Sequence, residues 1–300
     1  MENYIFRSMN SEICLQGLSA ELNQEIHELF NTLQALLSRF DAASDVCLLN
    51  SSVGSWQIVH PLTFAVLSDA CTAFVETDGL YNPFLGNILA AGGYDKSFEQ
   101  LHPSADTPSY IRHRHSFTTN QLLDFDHANM RVRLADAAAI DLGGYAKGWA
   151  AQLAFQYLLG RGCSQGLIDA GGDIIGWGRD WEIDISHPLG DNKIIASIHN
   201  EGVCAIATSN TIYRRWRNSD QTVSHHIIDP RSLQAANSDL IQVSIIADNL
   251  TKAEQFTKCM LILGVEDGIS WLEQHWPHIG YILVTTHGQI LTKSRQQLAK

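Results

Sequence analysis

Asp141-Leu142-Gly143-Gly144-Tyr145-Ala146-Lys147-Gly148-Trp149-Ala150 is the stretch on which the organisation of the chain turns. Two adjacent glycines stand before an apolar run that reads as a helix over 147–159, with a lysine in its first turn. Glycine has no Cβ, so backbone there can approach a ligand closely. A helix N-terminus offers unpaired N–H donors that suit a phosphate. Lys147 would then add a point charge for a pyrophosphate. The pattern is neither a Walker loop nor G-x-G-x-x-G. On these residues alone, a tight strand-to-helix turn with a solvated lysine is the simpler account.

Outward from this turn the two halves of the chain differ. Towards the N-terminus, residues 4–16 alternate loosely and read as an opening strand. Leu22, Ile26, Leu29, Phe30, Leu33, Leu36, Leu37 and Phe40 share one face of a helix over 21–40. A second helix spans 61–77, with Pro61 suited to its start. A turn-rich stretch follows over 79–94, then a polar, His-rich surface loop or edge hairpin over 103–120 and a strand over 131–134.

Towards the C-terminus, strands are expected at 166–169, 181–185, 194–199, 203–207, 243–246, 279–285 and 289–291. Helices at about 249–263 and 265–274 interrupt them. Strands in runs, without strict β-α-β alternation, indicate an α+β fold.

Bulk properties narrow the function. The formal net charge is −12, which argues against non-specific nucleic-acid binding and against anionic membrane surfaces. Phosphate ligands stay open, because backbone N–H groups bind anions on acidic proteins too. The six cysteines (Cys14, Cys47, Cys71, Cys163, Cys204 and Cys259) form no C-x-x-C pair and read as buried reduced thiols. Residues Met1 to Arg7 contain neither a basic nor an apolar leader region. No apolar run approaches the roughly 18 residues that span a bilayer. Together these features point to a cytoplasmic protein.

Four more segments carry chemistry. Asp169-Ala170-Gly171-Gly172-Asp173-Ile174 is a glycine turn with acidic flanks, suited either to capping or to close approach to a ligand. Ala205-Ile206-Ala207-Thr208-Ser209-Asn210 is the next. In His225-His226-Ile227-Ile228-Asp229-Pro230-Arg231, adjacent strand residues face opposite ways, so one metal site would not use both histidines. In 253–264, Glu254 and Lys258 are four residues apart in the favourable order for an ion pair. On residue type alone this is a surface pair worth a few tenths of a kcal/mol.

Taken in order and spacing, these segments resemble the ApbE family of FAD:protein FMN transferases. The family shows D-L-G-G-x-A-K-G, then A-G-G-D-I, A-T-S-G, H-I-I-D-P-R and a helix ending in L-G. Phe6-Arg7-Ser8-Met9 is similar to its opening F-x-x-M-G-T, 44–50 to its S-E-x-x-x-x-N, and 79–84 to its G-x-F-D-P-T. The likeness covers about residues 5–275 of a single 1–300 domain.

The resemblance implies an α+β, ApbE-like fold of two packed lobes of mixed sheet and helices, with a flavin cleft between them. It implies transfer of FMN from FAD to a Thr or Ser hydroxyl of an acceptor flavoprotein, with release of AMP. Binding of FAD without transfer, or its hydrolysis to FMN and AMP, are the alternatives. Residue by residue, it implies FAD contacts at Met9, Asn50, Gly93, Tyr94, Asp141, Lys147 and Ile228. The Gly144 carbonyl and positions 254 and 258 would face a magnesium ion. Glu254, Lys258 and Lys147 carry the chemistry.

The departures matter. Glu254 stands for Asp, and Lys258 for Thr at a metal position; a lysine offers magnesium no oxygen. Either Lys258 replaces the metal as counter-charge, or the site binds flavin without turnover. The chain is similar to a branch of the family with this Glu…Lys pair, with Gly148-Trp149-Ala150, Arg214-Arg215-Trp216 and Gly93-Tyr94-Asp95. Other departures are Asn10, Asn210 and Leu233 for Gly, Asn82 for Asp and Phe84 for Thr. Arg214, Arg215 and Arg217 read as a solvated strand end, with an acceptor-facing patch as the alternative.

Overall fold

Met9 and Asn10 turn what reads as one opening strand into a hairpin. Both adopt left-handed backbone, φ 52° and 55°, so Tyr4–Ser8 folds back antiparallel on Ser11–Gln16. Asn tolerates that conformation, whereas Met rarely adopts it. The computed structural model describes residues 3–94, 122–135, 138–190, 193–200, 202–213, 215–217 and 223–295. The His-rich stretch 103–120 and Arg214 lie outside them, and the Arg217 side chain is likewise not described.

The chain folds into two units. The first comprises 1–31, 147–212 and 237–300. Its frame is an eight-stranded antiparallel sheet in the order Tyr4–Ser8, Ser11–Gln16, Gly166–Ala170, Ile174–Trp177, Cys204–Asn210, Leu240–Ala247, Gly280–Thr285 and Ile290–Lys293. Gly171 and Gly172, φ 69° and 94°, make the tight turn that adds Ile174–Trp177, a strand the periodicity does not announce. A two-stranded ribbon, Trp181–Ser186 with Ile194–Asn200, alternates buried and exposed residues on its first strand. Its Trp181, Ile183 and Ile185 pack with Leu167, Ile206, Ile246 and Ile282 of the sheet. The helices Ala146–Gly160, Leu250–Leu263 and Val265–His275 match the expected spans to within a residue or two.

The second unit comprises 32–146 and 213–236. A three-stranded sheet runs in the order Trp56–Ile58, Arg131–Leu134, Leu123–Asp126. Two short ribbons follow at 215–225 and 228–235. The helix Pro61–Glu76 starts on Pro61 as expected, capped by the His60 side chain. The helix Asp45–Ser51 is capped by Ser44, whose side chain accepts from the Cys47 N–H. The helix expected over 21–40 is observed as Ala20–Leu37. It stops there because the Phe40 N–H goes to the Ser38 hydroxyl and the Ser38 carbonyl accepts from Ser44 Oγ. The mixed helix and antiparallel sheet content is the expected α+β class. Among the described residues no helix is long and apolar enough to cross a membrane.

Candidate functional site

The first unit brings four charged side chains together. Lys147 and Gly148 open the helix Ala146–Gly160. Glu254 and Lys258 lie one turn apart on Leu250–Leu263, a helix capped by Asn249, whose side chain accepts from the Lys252 N–H. Gln152 Oε1 accepts from the Leu250 N–H at 2.8 Å and ties the two helix starts together. Asp173 ends the glycine turn.

Lys147 Nζ donates to Asp173 Oδ2 at 2.5 Å and to Glu254 Oε1 at 3.1 Å. Lys258 Nζ reaches the same Glu254 oxygen at 2.9 Å. Glu254 Oε2 accepts the Gly148 backbone N–H at 2.7 Å. The Glu254 side chain is 1% exposed and that of Lys258 12%, so this is an interior network and not the surface pair that residue type suggests. Gly148 is required here, because a Cβ on it would meet Glu254 Oε2 at 2.7 Å and the Leu250 carbonyl at 3.1 Å.

This arrangement corrects one inference about the helix start. The Gly148 N–H is spent on a carboxylate of the chain itself. Two carboxylates and two ammoniums make a balanced cluster. Burial alone would raise the Glu254 carboxyl. The charges of Lys147 and Lys258, with the hydrogen bonds from Lys258 and Gly148, outweigh it and hold it at about 2. Burial raises the Asp173 carboxyl from its ordinary value, with the Lys147 charge opposing. Burial likewise pushes the Lys258 ammonium down, against the pull of Glu254.

The fit to magnesium can be judged from these donors. Glu254 Oε1 is shared by two ammoniums and Oε2 holds a backbone N–H, while Lys258 brings positive charge and no oxygen. Magnesium takes oxygen ligands in an octahedral shell. The pair Glu254 and Lys258 does not fit it. Among the described residues no group of three or more His, Cys, Asp or Glu is placed to hold a metal.

The second unit gathers other expected flavin positions. Asp141 is ion-paired with Arg39 through Oδ2, and its Oδ1 accepts the Gly143 N–H at 2.9 Å, which sets the Gly143-Gly144 turn. Gly144 leads from this turn towards the helix at Ala146. Arg39 also donates to the Tyr94 carbonyl at 2.5 Å, and its guanidinium lies 4.7 Å from the Tyr94 ring centre. Tyr94 stacks on Trp216 with centroids 5.9 Å apart. Gly93 holds φ 94°, a conformation glycine adopts without strain.

Asn50 is engaged with backbone: its Nδ2 donates to the Ile140 carbonyl at 3.0 Å and its Oδ1 accepts the Ile140 N–H at 2.7 Å. Ile228 sits in an apolar cluster with Leu85, Leu89 and Leu233, against which Tyr94 packs. His225 is buried; its Nε2 meets the Ala236 carbonyl at 2.9 Å, and its Nδ1 accepts the Ile227 N–H. That bonding defines a neutral structural histidine, and burial lowers its pKa further. Met9 belongs to the first unit, at the strained hairpin turn.

Several departures from the family pattern are absorbed locally. Asn10 and Leu233, where the family pattern has Gly, adopt left-handed backbone at φ 55° and 58°, the conformation glycine takes without strain. Asn210 ends a strand and needs no such freedom. Asn82 Oδ1 accepts from the Phe84 N–H at 2.8 Å, and Phe84 is buried edge-on against Phe74. Sequence reasoning missed Arg39, which it had placed inside a helix, and left Asp173 as a turn cap. The repeated acidic residue after the Gly171-Gly172 pair was the available signal for Asp173; nothing in the sequence singles out Arg39.

The ApbE family model matches residues 7–283. A protein of Klebsiella pneumoniae named FAD:protein FMN transferase is 29% identical over 299 residues, covering 97% of this chain and 91% of the relative. One of Treponema pallidum with the same name is 27% identical over 286 residues, covering 85% and 76%. Among solved structures, an ApbE protein of Thermotoga maritima superposes with TM-score 0.81 at 24% identity, covering 99% of this chain and 97% of its own. The flavinyl transferase ApbE of Pseudomonas stutzeri does so with TM-score 0.77 at 21% identity, covering 98% and 94%. With the ordered motifs on both units and a family match over most of its length, this chain belongs to the ApbE family.

Proposed function

We propose that this protein is an FAD:protein FMN transferase that moves FMN from FAD to a Ser or Thr hydroxyl of an acceptor flavoprotein and releases AMP. The observation that carries the reading is the Lys147–Asp173–Glu254–Lys258 cluster at the start of the helix Ala146–Gly160. In the reaction the acceptor oxygen bonds to the FMN-side phosphorus and the bond from that phosphorus to the AMP oxygen breaks. The hydroxyl proton passes to solvent, and AMP leaves with the negative charge. A fixed cation next to the pyrophosphate lowers the energy of that charge as it develops.

The two lysines supply such cations. Glu254 and Asp173 hold them by charge-assisted hydrogen bonds, so little reorganisation is needed when the substrate arrives. Lys258 thus takes the role of a divalent ion as counter-charge to the pyrophosphate. On the second unit Asp141, Tyr94, Gly93 and Ile228 contribute flavin contacts, and Asn50 contributes by holding Ile140 next to Asp141.

The test is AMP release from FAD, with and without an acceptor carrying a Ser/Thr target motif, in magnesium and in chelator. AMP formed only with acceptor, with flavin covalently on the acceptor and turnover kept in chelator, supports the reading. AMP at an acceptor-independent rate would make the protein a pyrophosphatase. FAD bound but intact in every arm would leave it a binding protein. Lys258→Thr separates the metal question: activity that now needs magnesium supports the replacement, and a variant that binds no magnesium and loses FAD affinity sinks it.

A further inference from the structure

We infer that Arg39 is a positioning residue for FAD, acting through Asp141 and Tyr94; the inference rests on the transferase reading above. Arg39 lies far in sequence from both, yet one guanidinium meets each of them. Its Nε pairs with Asp141 Oδ2, and its second nitrogen donates to the Tyr94 carbonyl at 2.5 Å. Its plane lies over two rings, 4.2 Å from Phe40 and 4.7 Å from Tyr94. Lysine, a point charge on a flexible stem, cannot make these contacts together.

Two observations argue for a role beyond stability. The pair is largely withdrawn from water, with side-chain exposure of 11% for Arg39 and 12% for Asp141. Desolvating a charged pair consumes most of the attraction it gains, so such a pair is weak evidence of stabilisation. The second observation is what the pair organises. Asp141 Oδ1 sets the glycine turn through the Gly143 N–H. Tyr94 is held against Trp216, whose indole N–H donates to the Gly92 carbonyl at 2.8 Å. Arg39 therefore holds the glycine turn and the Gly92–Tyr94 corner in one arrangement before FAD arrives. A preformed site spares the substrate the cost of ordering it. The effect belongs in FAD affinity, not in the chemical step.

The experiment uses the full chain. FAD affinity is measured by flavin fluorescence, AMP release with acceptor by chromatography, and thermal midpoints in parallel, for wild type, Arg39→Met, Arg39→Lys, Asp141→Asn and the double variant Arg39→Met with Asp141→Asn. The expected result is an FAD Kd raised about tenfold or more by Arg39→Met, the scale of a lost charge-assisted hydrogen bond. At saturating FAD, kcat stays within about twofold. Arg39→Lys falls between, and the double variant weakens binding by clearly less than the two single effects combined. Should Arg39→Met fail to fold, Arg39→Lys decides alone. Variants that bind FAD like wild type, whatever their thermal midpoints, overturn the inference and leave the transferase reading standing. A wild-type protein that neither binds FAD nor yields AMP overturns both.

Discussion

Gly148 and Glu254 are in direct contact: the Gly148 N–H donates to Glu254 Oε2 at 2.7 Å, where a Cβ on Gly148 would intrude on the same oxygen. Gly148, which follows the paired glycines and Lys147 in the sequence, brings a carboxylate onto a helix start. There the carboxylate meets the positive end of the helix dipole as well as two ammoniums.

Gly148→Ala tests this contact. Alanine improves helix propensity by about 1 kcal/mol. The clash with Glu254 and with the Leu250 carbonyl costs about 1–3 kcal/mol by the usual measure of overpacking. We expect a lower urea midpoint with an unchanged slope, and a larger fall in AMP release than in stability, because Glu254 must move off Lys147 and Lys258.

Acid should reveal Glu254. Its folded pKa of about 2 lies below the unfolded value of about 4.3. The depressed carboxylate contributes stability that is fully present above the unfolded value and is lost as pH falls from about 4 to about 2. The lifted Asp173 works the other way, costing stability as pH rises through the carboxylate range. Unfolding free energy measured from pH 2 to 6 should therefore rise over the acid part of that range in wild type. In Glu254→Gln that rise should be reduced, and the variant should be less stable at neutral pH by about 3–5 kcal/mol, since it strands buried ammonium charge. An unaltered acid limb would show that the network does not hold Glu254 ionised.

Asn50 gives a prediction within the second unit. Its amide satisfies both the N–H and the carbonyl of Ile140. Asn50→Ala leaves two backbone groups without partners, at about 1–3 kcal/mol each where buried. Asn50→Asp keeps the acceptor and turns the donor into a second oxygen facing the Ile140 carbonyl, so it should rescue little. Equal stabilities of wild type and Asn50→Asp in chemical denaturation would contradict the clamp.

Leu233 separates strain from burial. Its left-handed backbone costs about 1–2 kcal/mol, which glycine would relieve. Its side chain is 8% exposed and packs with Leu85, Leu89 and Ile228. Losing a buried leucine side chain costs about 2–5 kcal/mol. Leu233→Gly should therefore destabilise the protein, and a gain in thermal midpoint would show that the strain outweighs the packing.

Much of the fold is written in local pattern. The helices at 61–77, 147–159 and 249–263 follow from apolar spacing and capping residues, and they appear within a residue or two of those bounds. The failures share a cause. The opening strand breaks because two non-glycine residues, Met9 and Asn10, adopt a conformation that residue type does not advertise. The helix at Asp45–Ser51 is short, with its signal confined to the Ser44 cap. Ile174–Trp177 exists as a strand because the sheet supplies neighbours on both edges, Gly166–Ala170 and Cys204–Asn210.

By itself the sequence determined the α+β class and the order of the motifs. The class follows from periodicity and turn chemistry, which act over a few residues, and the motif order carries the resemblance that implies a site. Partnership was decided only by the tertiary structure. Glu254 finds Gly148 across 106 residues of chain and Asn50 finds Ile140 across 90. Arg39, read only as lying within the helix over 21–40, is the link between Asp141 and Tyr94. Charge and hydrogen bonding act through space over a few ångströms, and only the folded sheet and helices bring those groups within reach.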